Sequence, residues 1–152
     1  MQKLLALAPV VLLAVGCASA MVEQEANDSC GKQGKKAFIA DAKHSGIPLV
    51  IESASAMVIC VGPDEVTHLP AAFGADVISA SNLRGVGIFA VVPGAVADKA
   101  GLKPNDIVEE FSGSPVTRAG ELLAAINRAT AGDRPAIKLR RKGKELIVSA
   151  QF

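Results

Sequence analysis

Chemistry needs reactive side chains at workable spacing, and this 152-residue chain offers few of them. Its two histidines are His44 and His68. A Ser-His-Asp triad would need one of them beside an activated serine. No Gly-x-Ser-x-Gly elbow lies near either, so both read as surface histidines. Glu109 and Glu110 are adjacent. In a strand, neighbouring side chains point to opposite faces, so they cannot work as an acid/base pair. Gly85-Val86-Gly87-Ile88-Phe89-Ala90 has the G-x-G-x-x-A spacing of a dinucleotide turn, but that turn opens a helix and here a strand follows. "GKQGKK" lacks the spacing of a phosphate loop. "LRRKGK", Leu139 to Lys144, reads as a solvated hairpin tip, with contact to anionic lipid headgroups as the alternative. The cysteines lack the paired spacing that zinc requires. The expectation is a non-enzyme with no catalytic residue, no metal and no cofactor.

Composition narrows the class further. Half of the residues are hydrophobic, yet there is no Trp, no Tyr and only five Phe. The core must therefore be aliphatic. A net charge of +1 argues against a nucleic-acid binder, which carries a strong basic excess. The length fits one domain, or one domain with an extension.

The first residues resemble a secretory signal peptide. Lys3 precedes an uncharged run from Leu4 to Val15, and small residues follow. The run is short for a membrane span. Two cleavage sites fit. Ala18-Ser19-Ala20 has the A-x-A pattern of ordinary cleavage after Ala20. Leu13-Ala14-Val15-Gly16-Cys17 resembles the lipobox of bacterial lipoproteins, with Ala14 where Leu is usual. That resemblance, which we favour, implies cleavage before Cys17 and a lipid on Cys17 that tethers the protein to a membrane face. Export leaves Cys30 and Cys60 as an even pair in an oxidising compartment. A disulfide between them would close a loop of about 30 residues and add ~3 kcal/mol by the loop-entropy argument. Two free buried thiols are the alternative.

Three zones follow: residues 1–20 for targeting, an N-terminal region at 21–69, and a compact module at 70–152. The N-terminal region opens polar and loose as far as Cys30. "KAFIADAKHSG" reads as strand or helix, whereas "PLVIES" and "AMVICVG" read as strands. In the module, "ADVISA", "GVGIFAVV" and "DIVEEFSG" are predicted strands. "AVADKAGL" is a short helix capped by Gly101. Thr117 is the predicted N-cap of "RAGELLAAINRAT", whose Leu122, Ala125, Ile126 and Ala129 face the core. "AIKLRRKGKELIVSAQF" is a β-hairpin turning at Lys142-Gly143, with Leu146, Val148, Ala150 and Phe152 on one face.

"GVGIFAVVPGAVADKAGLKPNDIVEEFSGSPV", then "ELLAAI", then "IKLRRKGKELIVSAQF" resembles a bacterial PDZ domain. The type is that of periplasmic Deg-type (high-temperature-requirement) serine proteases. The most specific part is P-G-x-x-A-x-x-A-G-L-x-x-x-D-I-V, Pro93 to Val108. Small Ala97 and Ala100 let the short helix lie against strands, and Asp106 suits a turn that offers backbone N–H groups. The resemblance implies an α+β fold, a small partly open β-barrel or sandwich with two helices. It also implies capture of an extended or C-terminal peptide by strand addition. Residues 21–69 are too few for a chymotrypsin-like double barrel, so no protease domain is expected. On this pattern Phe73-Gly74-Ala75 form the carboxylate loop and Asp76-Val77-Ile78 the receiving strand. Ala119 and Leu123, away from the core set, form the opposite wall. Ala75 is smaller than the family's usual residue.

The expected protein is thus an exported peptide-binding adaptor or scaffold of the bacterial periplasm or outer membrane. Its partner is a peptide or C-terminal segment of another envelope protein, with no nucleic acid and a membrane contact only through lipid on Cys17. Two alternatives stand beside it: a structural envelope protein with a closed groove, and an accessory subunit of a separate envelope protease.

Overall fold

A computed structural model of the chain describes residues 17–45 and 53–152. The signal-peptide reading of residues 1–16 and most of the strand expected at "PLVIES" lie outside the described residues. So does the side chain of Cys17, the expected lipidation site.

The described residues begin with a helix, where a loose segment is expected. This is α1, Cys17–Gly31. Its sequence is polar overall, but Ala26 and Cys30 stand four apart and share one helix face, and both are buried. Cys30 is disulfide-bonded to Cys60, with the two Cα atoms 5.3 Å apart. The ambiguous "KAFIADAKHSG" is resolved as a strand, β1 (Lys36–Ser45), paired antiparallel with β2 (Ser53–Val61). Phe38 lies opposite Ile59 and Ala37 opposite Cys60. The disulfide therefore ties the end of α1 to the end of β2, beside the start of β1, as the cysteine count predicts.

A 3-10 turn at Pro63–Glu65 leads into the second sheet. Its strands are β3 (Val66–His68), β4 (Ala75–Ile78), β5 (Val86–Val91), β6 (Ile107–Phe111), β7 (Ser114–Pro115), β8 (Ala136–Arg141) and β9 (Lys144–Ser149). Two helices are interleaved, α2 (Val96–Lys99) and α3 (Ala119–Arg128). The spatial order is β3-β4-β5-β6-β8-β9, with β7 also on β6, and every pairing is antiparallel. The predicted strands and helices of the module are all present. Lys142 and Gly143 both have positive φ, the backbone that a tight hairpin turn demands. The predicted one-faced row on β9 emerges gradually. Ala150 is buried and Phe152 packs against the core, but Leu146 is exposed.

Two hydrophobic cores divide the labour. The first is built from Leu69 onward and includes Phe73, Val77, Ile88, Leu122, Ile137 and Leu139. The second lies between the two regions: Phe38, Ala40 and Val61 from the N-terminal pair meet Ile78, Leu83 and Ile107 from the module. Successive side chains alternate across a strand, so Val77 enters the first core and Ile78 the second. Gly87 makes room for this docking. A Cβ there would stand 2.7 Å from the Phe38 ring. The Ile39 N–H also donates to Asn105 Oδ1 at 3.0 Å, a polar tie across the same junction.

Candidate strand-receiving edge

The most regular local chemistry sits at the Gly101–Asp106 turn, which fixes β5 and β6 beside α2. Asp106 is fully buried. Its Oδ2 accepts the Lys103 N–H at 2.8 Å, and both oxygens accept Arg141 donors at 2.7 Å. These hydrogen bonds raise the pKa of Arg141. Arg141 also donates to the Gly101 carbonyl. A buried charge held by a guanidinium fork and a backbone N–H is paired as burial requires. Glu109 and Glu110 are taken up structurally too, by Arg140 and Lys138 respectively. No cluster of three or more His, Cys, Asp or Glu able to hold a metal occurs among the described residues.

The predicted loop lies between β3 and β4. Phe73 and Gly74 donate their N–H groups to the Pro70 carbonyl, both at 2.9 Å. Gly74 has φ +71°, and a Cβ on it would meet Ala95 at 2.2 Å, so glycine is required for conformation and for space. The loop's carbonyls cap α2: Ala72 O accepts from Val96 and Phe73 O from Ala97. They satisfy N–H groups that a helix start leaves without partners. The Phe73 side chain is core, stacked on Phe152 with ring centroids 5.9 Å apart. The C-terminal "SAQF" thus completes the module's own packing.

Beyond the loop, β4 carries Ala75 to Ile78. Ala75, Val77 and Ile78 are buried, and Asp76 is half-exposed. One edge of β4 pairs with β5 and the other with β3. On the second edge Val66 stands opposite Ile78, Thr67 opposite Val77 and His68 opposite Asp76. The pairing continues with the Leu69 N–H donating to Ala75 O at 3.0 Å. His68 Nδ1 lies 2.6 Å from Asp76 Oδ1, on a side chain that is 76% exposed. His68 is therefore at the surface, as expected, although not idle. His44 falls in β1 with its side chain outside the described residues.

The wall helix starts later than the sequence suggests. Its N-cap is Arg118, not Thr117. Thr117 instead gives its N–H and hydroxyl to Glu121 Oε2, and these bonds hold the Glu121 carboxyl below the ordinary glutamate range. The shift moves Ala119 to the first helical position. There it is buried, rather than turned away from the core, and its N–H donates to Ser79 Oγ at 2.7 Å. Leu123 is half-buried against the module core. The structure therefore joins Phe73 to Ile78 in one loop and strand, and Ser79 joins that strand's end to the start of α3. A cleft of about 820 Å³ borders a different flank of α3, lined by Phe111, Val116, Ala124 and Arg128, and takes in none of these residues. At this edge the element that sequence reasoning missed is β3. Its signal was small: the β-branched pair Val66-Thr67, bounded by Pro63 and Pro70.

A probable periplasmic DegP-like serine endoprotease of Marinomonas is 37% identical over 86 residues, covering 57% of this chain and 17% of that protein. One from Hahella chejuensis is 32% identical over 69 residues, covering 45% of this chain and 15% of that protein. The chain thus spans less than a fifth of the length of these relatives. Among solved structures, an HtrA-type protease AlgW with decapeptide aligns at a TM-score of 0.49 and 17% identity, over 52% of this chain and 27% of that one. The family described as PDZ domain matches residues 71–151, more than half of the 152 residues, and the chain belongs to it.

Proposed function

We propose that the protein is an exported peptide-binding module of the bacterial envelope that works as an adaptor or scaffold. The ligand is an extended or C-terminal segment of another envelope protein, added as a strand beside β4 with Leu123 and the start of α3 as the facing wall. Phe73, Gly74 and Ala75 offer the loop that holds the ligand's end, and Asp76, Val77 and Ile78 the receiving strand. The observation that carries the reading is the family match over residues 71–151, which includes both loop and wall. The periplasmic relatives support the compartment, and the disulfide suits its oxidising chemistry. Lipid on Cys17 and division into a region at 21–69 and a domain at 70–152 belong to the same proposal. Catalysis is not part of it. Affinity is expected to be modest, because one added strand makes a small interface.

The test is an NMR titration of the isotope-labelled full-length chain with apolar-ended peptides, as free acids and as C-terminal amides. Shifts confined to Phe73–Ile78 and the Ala119–Leu123 face, and lost with the amide, support a carboxylate-reading groove. A second reading, a closed groove in a structural envelope protein, is favoured by one observation: β3 already lies on the outer edge of β4. Absence of shifts at millimolar peptide would move that reading ahead.

A further inference from the structure

Strand addition needs a free edge, and a strand has only two. On β4 both are taken, the outer one by the chain's own β3. The way it is taken resembles a bound ligand. Three residues pair antiparallel, the Leu69 N–H continues the ladder to Ala75 O, and the chain then presents the Pro70 carbonyl to the Phe73 and Gly74 N–H groups.

The hold is slight. β3 pairs over three residues, whereas β8 and β9 pair over six. Val66 and Thr67 are only half-buried and His68 is exposed. An exposed contact such as His68 with Asp76 adds little stability. It does, however, set a chemical preference. In an antiparallel ladder, hydrogen-bonded and non-hydrogen-bonded pairs alternate. Leu69 opposite Ala75 is hydrogen-bonded, so His68 opposite Asp76 falls at a close pair, where side chains meet. Any strand in this position places a side chain against the Asp76 carboxylate.

We infer that β3 is a displaceable resident strand, and that the peptide replacing it carries an imidazole or cationic side chain opposite Asp76. The inference rests on the peptide-binding reading above and adds to it both a gate and a ligand chemistry. An incoming segment competes with a tethered one, so observed affinity falls by the fraction of molecules whose edge is vacant.

The test uses the full-length chain and a fluorescein-labelled peptide, Pro-Asp-Glu-Val-Thr-His-Leu, the sequence of residues 63–69. Thr67 lies at the next hydrogen-bonded pair, so Thr67→Pro removes a ladder donor from β3. By fluorescence polarisation, Thr67→Pro is expected to bind the peptide at least about tenfold more tightly than the unaltered chain. Replacing the peptide's His with Ala, or adding Asp76→Asn, should reverse part of the gain. His68→Ala is a milder opener, expected to shift affinity in the same direction. It serves if Thr67→Pro does not fold. Hydrogen exchange on the unaltered chain gives an independent arm. The Leu69 amide should exchange at least about a hundredfold faster than the Ile88 amide, whose bond to Asp106 O lies in the module interior. Equal affinity of the open and unaltered chains overturns the gate while leaving peptide binding at this edge intact. No binding by either at millimolar peptide overturns both. An Ala peptide that binds as well as the His peptide overturns the role of Asp76.

Discussion

The N-terminal region and the module are built by different rules. The module closes its own core, from Leu69 to Ala150, without help from the preceding residues. The N-terminal pair of strands does not. Its largest buried side chain, Phe38, sits in a core whose other half, Ile78, Leu83 and Ile107, belongs to the module. A two-stranded sheet is marginal by itself. This one gains stability from a disulfide behind it and a domain in front. Ile78 belongs at once to the shared core and to β4, the strand proposed to receive the ligand. The extension is thereby coupled to β4 through Ile78, and also through β3, whose Val66 packs against the same core and pairs with Ile78.

The sharpest way to break this arrangement is Phe38→Ala, which empties the centre of the shared core. A loss of about 3–5 kcal/mol is expected for so large a buried ring. Denaturant unfolding checks it, and Phe73 shifts should stay put while those of Ile78 move. Equal disturbance of both would mean one core, not two. Reduction of Cys30–Cys60 comes next. The bond closes a sequence separation of 30, and its loss should cost about 2–4 kcal/mol and lower the melting temperature. Oxidised and reduced samples melting together would deny the disulfide its structural role. The smallest effect sharpens the module's side. Glu121 has a depressed pKa, set first by the Thr117 N–H and then by its hydroxyl. A depressed carboxylate contributes above its unfolded pKa and loses that contribution as pH falls through the folded value. Thr117→Ala should raise the Glu121 pKa toward the ordinary value in an NMR pH titration, with binding at β4 unchanged.

The two regions also differed in how plainly their sequences spoke. The module is punctuated by residues that only particular backbones need. Gly101 marks a helix end with φ +83°, and Asp106 anchors a turn through the Lys103 N–H. Such residues can be read one at a time. The disulfide was legible by counting. The helix α1 was not, because its polar surface hides a stripe reduced to Ala26 and Cys30, four residues apart. In the site itself, Phe73 to Ile78 was legible as loop and strand because Gly74 and the alternation of Val77 and Ile78 mark it. Ala119 was misplaced because Glu121, reaching back to Thr117, starts the helix later than the threonine suggests. The pairing of β3 was hidden for a deeper reason. Three residues carry little pattern, and their partner on β4 is chosen by the fold.

The central claim is that the outer edge of β4 receives a peptide in place of β3. Cross-strand NOEs at Thr67–Val77 and His68–Asp76, followed as the residue 63–69 peptide is added to saturation, test it most directly. The account predicts that these contacts fade and that equivalent contacts from Asp76 and Val77 to the peptide replace them. Saturation with the Thr67–Val77 contacts undiminished would contradict it.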